Sequence, residues 1–240
     1  MTISPSTHVA DIVTAAPATI AVFQRHHIEF CCGGRVPLRV VCENEGLDIF
    51  RLLDELTAAT KPFTDTRDWH QAPLPDLVTH IQQAYHGPLY EELPRLAAML
   101  AKVVSRQGDR MPDTLPPLQA TFSGLEHDLH FRMRREDAIL FPAIVRFASQ
   151  PSEQVGEPHP LLGPITVMER DHAEADDALD SLRRLTAGYQ PPDGACPTFR
   201  GLYHGLSDLE HRMRLHVHLE NDILFPRALA LGRSGQPAGA

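Results

Sequence analysis

The sequence predicts an all-α protein, a small helical unit followed by an antiparallel four-helix bundle. Three observations predict it. From Leu74 onward, apolar residues recur at helical spacing in four long segments, near 74–106, 115–148, 163–187 and 197–231. Stretches rich in Gly and Pro divide them, namely GDRMPDTLPP, ASQPSEQVGEPHPLLGP and TAGYQPPDGACP. Period-two alternation with β-branched residues is sustained nowhere, which argues against a sheet. At about 1.5 Å per residue, helices of roughly 25–35 residues make a bundle about 35–50 Å long.

In chain order, residues 1–60 form the small unit. THVADIVTAAPATIAVFQRHH reads as short helices, with Thr7 placed to cap the first and Pro17 to open the second. Gly33-Gly34 break the chain after Cys31 and Cys32, and PLRVVCENEGLDIFRLLDELTAA completes the unit. Residues 61–73, within KPFTDTRDWHQAPLP, are a linker whose Trp69 is placed to dock the small unit onto the bundle. Residues 74–240 are the bundle.

At 240 residues the chain can bury a sizeable core. The net charge of -9 and a sequence pI near 5.8 argue against nucleic acid or an anionic membrane surface as partner. No apolar run is long enough to span a bilayer, and MTISPSTHVAD does not read as a leader, so the expected location is the cytoplasm. Four cysteines, at 31, 32, 42 and 196, do not make a disulfide framework and fit a reducing compartment. Cys42 and Cys196 read as structural. Fourteen histidines, several beside acidic residues, invite a metal.

An internal repeat sharpens that reading. Leu125–Pro142 and Leu209–Pro226 share Leu-Glu-His at the start, a central Glu, and ILFP at the end. In the second copy His216 and Glu220 stand four apart, on one helical face, flanked by apolar Met213, Val217, Ile223 and Leu224. A Glu on a buried face needs a partner or a metal. Glu136 is its equivalent in the first copy, so two helices bring two carboxylates to matching depth, an arrangement that bridges paired ions inside a bundle. The other two helices offer His86 and His172. Imidazole and carboxylate with an open position suit non-haem iron, although zinc or manganese would accept the same ligands. Glu169, Asp171 and Glu174 read as a solvated face, with Glu169 or Asp171 also placed to orient ligands or line an exit route. His80, His127, His211 and His218 read as surface groups or as neighbours of the ligands.

One histidine on each of the first and third helices, with His-x-x-x-Glu before ILFP on the fourth, resembles the hemerythrin-like di-iron domain. HHIEFCCGGR with the later VCENEGLD resembles the double-cysteine domain that precedes it in the repair of iron centres family. The resemblance spans about Thr7 to Leu231. It implies a cytoplasmic protein holding two non-haem irons that restores iron-sulfur proteins damaged by nitric oxide or peroxide by supplying iron. By position it implies His86, Glu136, His172, His216 and Glu220 as metal ligands, both glutamates bridging. Cys31 and Cys32 would assist the handover, since adjacent thiols at a turn ligate soft metals or exchange disulfides. Nitric oxide reduction at the centre, or reversible binding of dioxygen or nitric oxide as a sensor or carrier, are the alternatives. A monomer and a homodimer both remain open.

The sixth ligand should be a histidine at 132, and this sequence has Arg132. A guanidinium has no lone pair for a metal. His130 lies about 200 degrees around the helix from 132 and points elsewhere; His127 fares little better. The expectation is an ion held normally by His172 and His216 and a weaker one beside His86. The number of irons is therefore two or one. Arg132 would pair with Glu136, accompany a local register shift, or reach out to solvent.

Overall fold

The computed structural model describes residues 3–28, 30, 36–60, 67–149 and 159–231. Cys31, Cys32, Gly33 and Gly34 lie outside the described residues, as do residues 61–66 of the linker.

The small unit comprises α1 (Val9–Ala15), a 3-10 turn at Pro17–Thr19 that runs into α2 (Ile20–Arg25), α3 (Leu38–Glu45) and α4 (Ile49–Ala59). Pro17 opens its turn as expected, because its fixed φ and missing N–H suit a first helical position. Thr7 does not cap α1. His8 holds that position without a side-chain bond, and Thr7 Oγ1 accepts instead from Ser4 N at 3.0 Å. Gly46, at φ 66°, ends α3 in the left-handed region, and Asp48 caps α4 by accepting from Phe50 N and Arg51 N.

Four rods follow, close to the expected boundaries. The first is α5 (Leu74–Ile81), a π turn (Gln82–His86) and α6 (Gly87–Gln107). The second is α7 (Leu115–Arg135), a π turn (Glu136–Leu140) and α8 (Phe141–Ser149). The third is α9 (Leu162–Leu185) alone. The fourth is α10 (Pro197–His218), a π turn (Leu219–Leu224) and α11 (Phe225–Ala230). The start of the first rod packs on the ends of the second and fourth, so these neighbours are antiparallel. No strand occurs among the described residues.

Each π turn is followed at its second residue by a proline: Pro88, Pro142 and Pro226. Proline lacks the amide for an i→i−4 bond, and its ring crowds the carbonyl of residue i−4. A widened turn relieves both problems without ending the rod. Pro94 sits inside α6 with no π turn, so proline alone does not impose one.

Two apolar clusters fill the interior. The larger joins α1 to α4 to one half of the bundle, through residues such as Phe23, Leu52, Leu96, Leu118 and Tyr203. The smaller fills the far end with Leu77, Ile81, Phe141, Ile165, Leu224 and Phe225. Gly201 permits the first union: a Cβ there would lie 2.1 Å from Ile20 Cδ1. Trp69 corrects an expectation, because it belongs to the far cluster rather than to the small unit's face. It stacks on His80 at 4.4 Å, and its carbonyl accepts from Arg227 Nη1 at 2.6 Å. Cys42 is buried in the larger cluster, as a structural cysteine should be, whereas Cys196 is exposed at the start of α10.

Candidate metal centre

Between the two clusters lies a buried polar layer of His86, Arg132, Glu136, His172, His216 and Glu220, none more than 5% exposed. The five residues expected from sequence, His86, Glu136, His172, His216 and Glu220, thus lie in one place, two of them contributed by the fourth rod and one by each of the others. Three of the π turns carry or border it: His86 ends one, Glu136 begins another, and Glu220 lies in the third. Such turns re-aim side chains inside a continuous helix.

The carboxylates stand at the centre, each with one oxygen toward either side. Glu136 Oε2 is 3.4 Å from His86 Nε2, and Glu136 Oε1 is 3.6 Å from His172 Nε2. Glu220 Oε1 is 3.2 Å from His216 Nε2, and Glu220 Oε2 is 3.1 Å from His172 Nε2. None of these four oxygens has an aligned hydrogen-bond donor. Buried carboxylates left so are costly unless a cation completes them.

His86 Nε2 and His216 Nε2 are 3.1 Å apart. Two imidazole nitrogens at roughly 2.1 Å from one ion and at right angles to each other would stand roughly 3.0 Å apart. Donor atoms of His86, Glu136, His216 and Glu220 all lie within 4.8 Å of one another. This half of the layer fits one divalent cation. It also corrects the pairing expected from sequence: His216 shares its side with His86, and His172 faces the other oxygens of the two glutamates.

The orientations of two of these rings are fixed from outside. His86 Nδ1 donates to Asp137 Oδ1 at 2.8 Å, and Gln82 Nε2 donates to the same oxygen at 3.0 Å. His172 Nδ1 donates to Asn221 Oδ1 at 2.8 Å. Each Nε2 is thereby turned toward the carboxylates, the device by which a carboxylate or amide orients a metal-binding imidazole. Sequence reasoning missed Asp137 and Asn221, although the repeat marks both: each directly follows its copy's glutamate. Tyr85 stacks on His216 at 5.5 Å.

The charges are mutually dependent. Burial opposes protonation of His86, but Asp137, Glu136 and Glu220 outweigh it and raise its pKa to about 9. Burial likewise opposes His172, and Glu136 with Glu220 raise it to about 10. Burial pushes Glu220 up, but His216 and His172 prevail and hold it below the usual carboxylate range. A metal entering here displaces protons, as metal sites commonly require.

Arg132 takes none of the routes open from sequence. It is only 5% exposed, so it does not reach solvent, and among the described residues it forms no ion pair within 4.0 Å. Its Nε and Nη1 are buried without partners. Glu136 N bonds to Arg132 O, so the helical register between them is intact. His130 turns away to its own helix, its Nδ1 meeting Glu126 O at 2.9 Å, and His127 is exposed. Burial lowers the Arg132 pKa, with Glu136, Asp171, Glu220 and Asp128 acting the other way. The second half of the layer therefore has His172 and two carboxylate oxygens, and at the position one turn before Glu136, where the repeat calls for a second imidazole, stands the buried Arg132. That half offers one imidazole fewer than its counterpart, with a fixed positive charge in its place in the repeat.

Other sequence candidates fall outside the layer. Glu169 and Glu174 are exposed, while Asp171 meets Arg135 and Arg170, each at 3.5 Å. His211 is exposed, and His218 pairs with Asp222 at 2.6 Å on the surface. Among the described residues, no helix is long and apolar enough to cross a membrane.

The hemerythrin HHE cation-binding domain model matches residues 77–228, and ScdA_N, a domain of unknown function, matches residues 5–60. The chain is 37% identical over 219 residues to the iron-sulfur cluster repair protein YtfE of Yersinia pseudotuberculosis serotype O:1b, covering 91% of this chain and 94% of the relative. The protein of the same name from Yersinia pestis strain Pestoides F is also 37% identical, with the same coverage.

Proposed function

The chain belongs to the family of iron-sulfur cluster repair proteins with a hemerythrin HHE cation-binding domain, and on that premise we propose that it restores damaged iron-sulfur clusters by delivering iron from the bundle. The observation that carries this reading is the buried pair Glu136 and Glu220. Their buried oxygens, which face imidazole nitrogens at 3.1–3.6 Å without an aligned hydrogen bond, form with His86 and His216 a non-haem iron site of oxygen and imidazole donors.

The protein's own groups do the following. Asp137 and Asn221 hold the imidazoles so that lone pairs face inward. The apolar clusters on both sides keep bulk water from the layer. A proton that returns to His86 competes with the metal and favours its release. When bound, iron supplies the cargo and a position open to nitric oxide or dioxygen. Cys31 and Cys32, adjacent thiols followed by Gly33-Gly34 in the sequence of the small unit, are assigned to the handover, and the cytoplasm, where such thiols stay reduced, is the assigned compartment.

The test is to incubate the iron-loaded chain anaerobically with a [4Fe-4S] dehydratase inactivated by nitric oxide. Dehydratase activity should return while the chain loses a matching amount of iron. Iron retained on the chain with no recovery would contradict donation. Retention with reversible gas binding would indicate a sensor, and nitrous oxide production a reductase.

A further inference from the structure

We propose that the bundle of this chain is a one-metal site, in which the Arg132 guanidinium stands permanently in the half that a second ion would otherwise occupy. The inference rests on the iron-binding reading above and concerns how many ions that site holds.

Three observations carry it. First, the donors divide unequally. One half offers two imidazole nitrogens 3.1 Å apart with Glu136 Oε2 and Glu220 Oε1; the other offers His172 and the remaining two oxygens. Second, Arg132 is one helical turn before Glu136, as His216 is one turn before Glu220, so the repeat puts the guanidinium in the position of the missing ligand. It is buried and has not been expelled. Third, the charge favours one ion. Two carboxylates neutralise one divalent cation, so the Arg132 guanidinium already leaves the layer with surplus positive charge. A second divalent ion would add two more positive charges to a site shielded from water, where repulsion is weakly screened.

Arg132 then does part of what a second ion does. Its charge offsets the carboxylate oxygens that face away from the metal, while its lack of a lone pair leaves no bond to that half. His172, anchored by Asn221, remains a partner of both carboxylates rather than a ligand. Reduction of two nitric oxide molecules to nitrous oxide and water consumes two electrons and two protons. One ferrous ion passing to ferric supplies one electron, so a one-metal site favours iron delivery over that reaction.

The experiment uses the full chain, stripped with chelator, loaded anaerobically with excess ferrous ion and desalted. Metal per chain is counted by mass spectrometry for the wild type and Arg132→His. One iron in the wild type and two in R132H is the expected result. Two in the wild type, or one in both, would overturn the role given to Arg132. No iron in either would instead overturn the iron-binding reading itself. Should R132H fail to fold, paramagnetic resonance of the oxidised wild type decides alone. An isolated high-spin ferric signal accounting for all the iron supports one ion, and a silent, coupled pair refutes it.

Discussion

On one side of the carboxylate pair stand His86 and His216, their Nε2 atoms 3.1 Å apart; on the other stands His172, with a buried guanidinium in place of its fellow. The same repeat builds both sides, and the residue after each glutamate orients a histidine on another rod in both. The scaffold is thus kept at two-ion symmetry while one side chain breaks the symmetry of the donors. Orientation and ligation are separable properties: Asn221 positions His172 as firmly as Asp137 positions His86, at 2.8 Å in each case, yet in the one-metal proposal only His86 is a ligand.

Removing ligands one at a time should expose the difference most strongly. His86→Ala and His216→Ala are each expected to lower iron affinity by at least about 100-fold, beyond the range typical of an orienting residue. His172→Ala should lower it by about 10-fold, the low end for losing an orienting partner, because its loss removes a neighbour of the carboxylates and not a ligand. Competition against a calibrated chelator measures all three. Equal losses for His86→Ala and His172→Ala would erase the distinction between the halves.

Orienting residues give the next test. Asp137→Ala should cost about 10–100-fold in affinity by freeing the His86 ring. Asn221→Ala should change affinity little while still disturbing His172, which the imidazole resonances in a nuclear magnetic resonance spectrum would register. A large affinity loss from Asn221→Ala would place metal on the His172 side.

The smallest effect separates the site from the scaffold. Gly201→Ala places a Cβ against Ile20 at the junction of the small unit and the fourth rod. The expected destabilisation is about 1 kcal/mol, the low end for overpacking because the Ile20 terminus can swing aside. Denaturant melts should detect it, and iron content should not change.

Much of this was legible in the sequence. The rods were readable because helical periodicity persists over many turns between Gly and Pro dividers, and Glu136 and Glu220 because a repeat placed them at one depth. The pairing of His86 with His216 was not readable, since it depends on which rods lie side by side and how each is rotated. The π turns contribute to that rotation, and their only trace in sequence is a proline two residues beyond each. Asp137 and Asn221 were visible in the repeat but chemically unremarkable until a histidine from another rod met them. The face that Trp69 covers is not legible, because an aromatic in a linker signals burial but not the surface it is buried against. Arg132 was recognised as a departure, yet its burial without a partner follows from packing around the whole layer.

The most direct test is anomalous scattering at the iron edge from crystals of the iron-loaded wild type. The account predicts one iron peak, between His86 and His216 and within bonding distance of Glu136 and Glu220, with Arg132 still buried beside His172. A second peak beside His172, with Arg132 displaced, would contradict it.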